Sequence, residues 1–314
     1  RYRCFNIPTV SQFNIYILAG RTWYSCQFAP EKNGQWEELI LPKSLFLPEG
    51  KSDSWKNCSK IRIAAWRGAA GTFLMQFASL EFFAPNVNIA MLRSAGKTDQ
   101  QKEAYQYAAH LGKNLSHGGL YPAVLEEDDC SVRILYPYEL LLLPSLSFAS
   151  PSQNNSILSY LRNNGKAAVF HSLPPLISTQ MSMPSGTFLR SANFHKPLAF
   201  VAPVKQHLPA GKVFRQQSSA LIAIKATPLV KVNAWWYDSE GNNTAYPAIV
   251  ESSSGFWMTH VFLNQDTENA FLTLLAQINK FVPNAVRIAA HSSLNKVHFT
   301  LLNSASKSAE ARKA

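Results

Sequence analysis

Three residues have the types and spacing to do chemistry: His171 and Ser172, directly after the run Lys166–Phe170, and His260, in the segment Gly255–Phe262. A hydroxyl with an imidazole in reach is the raw material of acyl transfer: the ring takes the proton, the oxygen attacks, and a carboxylate orients the ring. With Asp128 as that carboxylate, Ser172 and His260 form the best serine acyl hydrolase triad the chain offers. The neighbours oppose it. A nucleophile raised on a sharp strand-to-helix turn needs room, and Ser172 has Phe170 and Pro174 two residues to either side. The reading adopted is no catalytic residue, with the Ser172–His260 acyl hydrolase as the alternative.

Other chemistries are excluded in turn. Glycoside hydrolysis needs two carboxylates facing across a cleft. The one acidic cluster, Glu126-Glu127-Asp128-Asp129, puts like charges side by side, and such a run reads as a solvated loop or helix entry. The turn Arg93-Ser94-Ala95-Gly96-Lys97 has one glycine and neither phosphate-loop spacing, so a nucleotide cradle is not expected. The four cysteines, Cys4, Cys26, Cys58 and Cys130, show no CxxC pair and no histidines at zinc intervals. No metal and no cofactor are expected. One disulfide among Cys4, Cys26 and Cys58 stays open, beside the favoured reading of buried free thiols.

The elements that must carry these residues change character along the chain. Up to about residue 85, short alternating runs (Phe13–Ile17, Thr22–Phe28, Trp36–Leu41, Ile61–Trp66, Thr72–Phe83) stand between polar turns. Strands at such spacing predict an all-β sandwich, here too short for a whole jelly roll. From Val87 the rhythm is strand, helix, strand, strand, helix, strand, which predicts a doubly wound parallel sheet. Its first helix is capped by Thr98 with Gln101 and buries Ala104, Tyr105, Ala108 and Leu111. β-rich sequence follows, then a helix capped by Asp266 and running to Lys280. The expected division is residues 1–85, 86–283 and a linker or further domain over 284–314.

Composition narrows the partners. The 314 residues carry 30 Lys and Arg against 19 Asp and Glu, a net +11. The cations are scattered singly without interleaved aromatics, so a basic solvated surface is expected rather than a nucleic-acid site. No apolar run of about 18 residues is present, hence no membrane span. The chain opens on Arg1 and reads as a piece of something longer, or a processed product.

Gly20-Arg21-Thr22-Trp23-Tyr24, Gly34-Gln35-Trp36 with Leu41-Pro42-Lys43-Ser44, and Ile61-Arg62-Ile63 with Trp66-Arg67-Gly68 resemble β-sandwich carbohydrate-binding modules of bacterial polysaccharide-active proteins. The resemblance implies that Trp23, Tyr24, Trp36 and Trp55 are available to stack on sugar rings. Core filling competes with that role, most strongly for Trp36 and Trp66 inside strand patterns.

Val87-Asn88-Ile89-Ala90, Leu141–Pro144, Val169–Pro175, Tyr246-Pro247-Ala248 and Gly255–His260 resemble the class I glutamine-amidotransferase-like fold, flavodoxin-like in form, as found in accessory domains of glycoside hydrolases. The combination is similar to the non-catalytic region of bacterial family-10-like glycosyl hydrolases, where both domains precede a TIM barrel. An active amidotransferase needs Gly-x-Cys-x-Gly at the strand end, then His and Glu. Here the elbow holds His171-Ser172, and His260 runs on into Val261-Phe262. The resemblance therefore implies a degenerate site of His171, Ser172 and His260 in an extracytoplasmic accessory segment. Its implied partners are a polysaccharide or oligosaccharide and a homo-oligomer mate, with any sugar-cleaving carboxylates beyond Ala314.

Overall fold

A computed structural model describes residues 1–39, 41, 43–50, 58–78, 80, 88–94, 98–117, 119–146, 150–190, 199–201, 213–215, 220–238, 240–262, 268–282, 287–293 and 296–302. The protein is mixed α/β, with several sheets and few helices. It forms two compact units, Arg1–Ala84 and Pro85–Ala314. No helix among the described residues is long and apolar enough to cross a membrane.

In the first unit, β2 (Val10–Ala19), β3 (Thr22–Phe28), β4 (Leu47–Glu49) and β5 (Cys58–Arg67) form an antiparallel sheet in the order β4-β3-β2-β5. β1 (Tyr2–Phe5) and β6 (Leu74–Phe77) make a separate antiparallel ladder. The period of 2 along a strand sorts side chains to two faces. Phe13, Ile15, Ile17 and Ala19 of β2 pack with Tyr24, Cys26 and Phe28 of β3, with Phe46, and with Tyr2 and Cys4 of β1. Gln12, Asn14 and Tyr16 alternate with them on the other face. A jelly roll has eight strands in two sheets; the described residues of this unit give six strands. The strand expected over Trp36–Leu41 is a loop among its described residues, with one bridge from Glu37 to Tyr2. The Glu37 carboxylate accepts the backbone N–H groups of Glu31 (3.1 Å) and Lys32 (3.0 Å), which folds the segment back on itself.

The second unit is built on β7 (Ile89–Arg93), β8 (Ala123–Glu126), β9 (Leu140–Leu143), β10 (Lys166–Phe170) and β17 (Gly255–Met258), all parallel, in the order β8-β7-β9-β10-β17. Numbered by appearance this is 2-1-3-4-5, an order of doubly wound sheets. Antiparallel strands extend it: β16 (Asn243–Ser252), β15 (Lys231–Tyr237), β12 (Ala199–Val201) and β13 (Val213–Arg215). Alternate residues bury on opposite faces. Ile89, Met91, Leu140, Leu142, Ala168 and Phe170 pack with helices α1 (Asp99–His117) and α5 (Glu268–Phe281). Ala90, Leu92, Leu141, Leu143, Ala167 and Val169 pack with α2 (Val132–Leu135), α3 (Pro151–Arg162) and α4 (Pro175–Gln180). Each fully buried Leu, Val or Phe contributes about 1.5–3 kcal/mol, so runs apolar at every position can only be central strands.

Capping fixes where the helices start. Thr98 and Gln101 exchange side-chain and backbone bonds (3.1 and 3.2 Å), and Ser150 caps α3 with Gln153. The cap proposed at Asp266 lies outside the described residues. β11 (Gly186–Arg190) pairs with β14 (Ala220–Ile224), and β18 (Arg287–Ser293) with β19 (Lys296–Leu302).

Candidate functional site

β10 delivers His171 to the carboxyl edge of the parallel sheet, where open α/β proteins place their ligands. The residue is held in the left-handed region, φ 59°. Its amide donates to the carbonyls of Met258 (2.9 Å) and His260 (3.0 Å), and its own carbonyl accepts the Trp257 indole N–H at 2.7 Å. These bonds tie the end of β10 to the end of β17 and hold a sharp turn in place, at a backbone conformation that costs a non-glycine residue energy. An elbow geometry is therefore present, with imidazole at its apex instead of a nucleophile.

Ser172 Oγ lies 3.0 Å from Nδ1 of that same His171. A triad base needs an acceptor on its second nitrogen; Nε2 of His171 is buried and makes no hydrogen bond. His260 is fully buried, its ring edge-on to Trp236 at 5.2 Å. Burial, with a smaller contribution from the charge of His171, holds the His260 pKa down to about 3, and burial lowers that of His171. Both rings are neutral at pH 7. Asp128 sits after β8, three strands from β10, roughly 14 Å at ordinary strand spacing. The three members of the proposed acyl hydrolase triad are not assembled.

The acidic cluster does lead into α2, through a short 3-10 turn over Glu127–Asp129, but it is not solvated throughout, which corrects that part of the expectation. Glu126 ends β8 opposite Arg93 of β7 and takes its Nε at 3.2 Å. Arg93 is fully buried with its guanidinium 4.5 Å from the Tyr105 ring centroid. Glu127 is buried and accepts from the Ser94 hydroxyl, while Asp128 is exposed. Glu126 and Glu127 are thus each engaged by a residue at the end of β7, Arg93 and Ser94. Among the described residues no group of His, Cys, Asp and Glu could hold a metal ion, and the four cysteines are free thiols.

The aromatic residues proposed for sugar stacking separate. Tyr24 is 1% exposed, packed with Ile17, Cys26 and Phe46, so it is a core residue and offers no face. Trp55 lies outside the described residues. Trp36 is 40% exposed with the Arg3 guanidinium 4.7 Å over its ring, which removes it from the core role expected of it. Trp23, half-buried, alternates with Tyr24 and belongs to the opposite face of the sheet.

That face holds residues the sequence reading missed. Register places Arg62 of β5 beside Tyr16 of β2, and Trp66 beside Gln12. The Arg62 guanidinium stands 4.2 Å from the Tyr16 ring and 4.8 Å from Trp23. Trp66, expected in the core, is 42% exposed, 6.1 Å from Tyr16. Gln12 donates to Asn14, and Asn14 to the Tyr16 hydroxyl, both at 3.1 Å. The signal available was the alternation Gln12, Asn14, Tyr16 against Arg62, Ala64, Trp66. It marks a face but not whether that face is covered.

No protein-family model and no curated protein matches the chain. Among solved structures it is similar to a ThuA-like protein from Bacteroides uniformis, at 13% identity and TM-score 0.45, over 66% of this chain and 96% of that one. It is also similar to a β-galactosidase from Rahnella sp. R3 (11%, TM-score 0.42, 66% of this chain) and an α-L-fucosidase from Paenibacillus thiaminolyticus (14%, TM-score 0.43, 70%). The match spans 34% of the galactosidase and 36% of the fucosidase. None of these likenesses assigns the chain to a family.

Proposed function

We propose that this chain is a non-catalytic accessory segment of a carbohydrate-active protein. Its first unit, a small carbohydrate-binding-module-like sheet, holds a polysaccharide or oligosaccharide. Its second is an amidotransferase-like, flavodoxin-like domain whose strand-end site lacks a nucleophile. The observation that carries this reading is the sheet face on which Arg62 and Trp66 are exposed and Trp23 and Gln12 half-buried, set over the buried Tyr16 and Asn14 that hold them in place. Aromatic rings receive the apolar C–H face of a pyranose, while amides and a guanidinium meet its hydroxyls. With the reading goes an extracytoplasmic location, where such glycans are found.

Affinity electrophoresis tests it. The whole chain should be retarded in a native gel containing xylan, a mixed-linkage β-glucan or a galactomannan, and should release no reducing sugar from them. Unretarded migration with all three would refute the proposal.

A further inference from the structure

The second unit has an open groove of about 390 Å³ at the edge of the parallel sheet opposite His171, about 16 Å away along β10. That volume lies in the range of small-molecule sites, about 300–1,000 Å³. It is lined by Tyr136, Tyr138, Glu139, Asn163, Asn164 and Lys166, contributed by the residues that lead into β9 and β10. We propose that this groove is a second sugar site, for a neutral mono- to trisaccharide. The inference goes beyond the reading above, since the groove belongs to the other compact unit and rests on its own residues.

The floor is fixed before any ligand arrives. The Tyr160 hydroxyl lies 3.1 Å from the Tyr138 carbonyl and 3.2 Å from that of Lys166, and accepts the Lys166 amide at 3.3 Å. One phenol thus pins the starts of both strands. Gly165 makes this approach feasible, because a Cβ there would stand 2.5 Å from the Tyr160 ring. Preorganisation of this kind lowers the entropy lost on binding.

The lining selects the chemistry. Tyr136 is 71% exposed and presents an open ring. The Asn163 side chain is oriented by donating to the Ser159 carbonyl (2.9 Å), which leaves its oxygen as an acceptor. Glu139 is held by the Asn88 amide at 2.9 Å. Amide, carboxylate and ammonium groups together can both donate to and accept from vicinal hydroxyls. One Glu and one Lys cancel, so a phosphorylated or strongly acidic ligand would meet the Glu139 charge without a surplus of cations. A lipid would leave the polar groups unsatisfied, at a cost. A hydroxyl-rich neutral ring with an apolar face satisfies both kinds of surface.

The test titrates the whole chain with cellotriose, xylotriose, maltotriose and mannotriose by calorimetry, and follows acetylation of Lys166 by mass spectrometry. At least one trisaccharide should bind and slow acetylation of Lys166. Tyr136→Ala and Asn163→Ala should each weaken that binding about fivefold to tenfold, whereas Leu229→Ala, at an exposed position of the same unit outside the groove, leaves it unchanged. Circular dichroism of the two groove variants checks that the fold is retained. Loss confined to Trp66→Ala, with Lys166 acetylated at its free rate, overturns the groove and leaves the sheet face standing. Loss confined to the groove variants supports the groove and leaves the sheet face to be judged by its retardation in polysaccharide gels. No binding to the wild-type chain overturns the groove outright.

Discussion

The guanidinium of Arg62 lies 4.2 Å from the Tyr16 ring and 4.8 Å from the Trp23 ring, so one cation on β5 is shared by aromatics on β2 and β3. Tyr16 is only 4% exposed, although it lies on the sheet face turned away from the core clusters. A cation over an aromatic ring at a solvent-facing site contributes about 0.5–1 kcal/mol. Arg62→Ala should therefore lower the unfolding free energy by about 1 kcal/mol in urea melts, through this contact and lost cover over Tyr16. Arg62→Met, which keeps the cover without the charge, should lose less. Equal stability of wild type and Arg62→Ala would mean that the cation is not seated on the rings.

Gly255 begins β17 at φ +139°, and a Cβ there would stand 1.8 Å from the carbonyl oxygen of Ala167 on β10. Backbone cannot yield by that much while the ladder between Ala167 and Gly255 is kept. Gly255→Ala should cost about 3 kcal/mol or more, seen as a large fall in melting temperature or failure to accumulate folded protein. Gly241, at φ +87° with nothing near its Cβ position, is the control. Gly241→Ala carries only the strain of its backbone, about 1–2 kcal/mol. Similar losses for both would contradict the close approach of the two strands.

His260 makes stability depend on pH in a defined window. Its ordinary pKa is near 6.5 and its folded value about 3, so between these the unfolded chain binds a proton that the folded chain refuses. Stability is complete above pH 6.5 and falls as the pH drops toward 3, by about 1.4 kcal/mol per unit. His171, lowered by burial, acts in the same direction. Between pH 6.5 and 5 the carboxylates Asp99, Asp238 and Glu251, all held below their ordinary values, stay ionised and do not contribute. His260→Phe should flatten the dependence of unfolding free energy on pH across this window. An unchanged slope would place the acid sensitivity elsewhere.

Much of the second unit was legible because its signals are local. The uninterrupted apolar runs Leu140–Leu143 and Ala167–Phe170, the Thr98–Gln101 capping box and the buried stripe of α1 each declare themselves within a few residues. What was not legible depends on partners far along the chain. Glu126 looked like one member of a repelling cluster until register set it against Arg93, 33 residues away. In the first unit the alternation of Trp23 and Tyr24 was plain, but both faces of that hairpin carry aromatics, so nothing local says which is covered. The core position expected of Trp66 fails for the same reason, since an antiparallel sheet can leave one face to solvent. The empty elbow was readable from residue types alone, whereas the left-handed backbone at His171 was not.

The account turns on whether the aromatic face of the first unit holds sugar. The direct measurement is the affinity of the whole chain for the polysaccharide that retards it, by calorimetry, with Trp66→Ala and Trp23→Ala beside the wild type. Each substitution should weaken binding about tenfold, for a loss of about 1.4 kcal/mol, with the circular dichroism spectrum unchanged. Undiminished affinity in both variants would contradict the account.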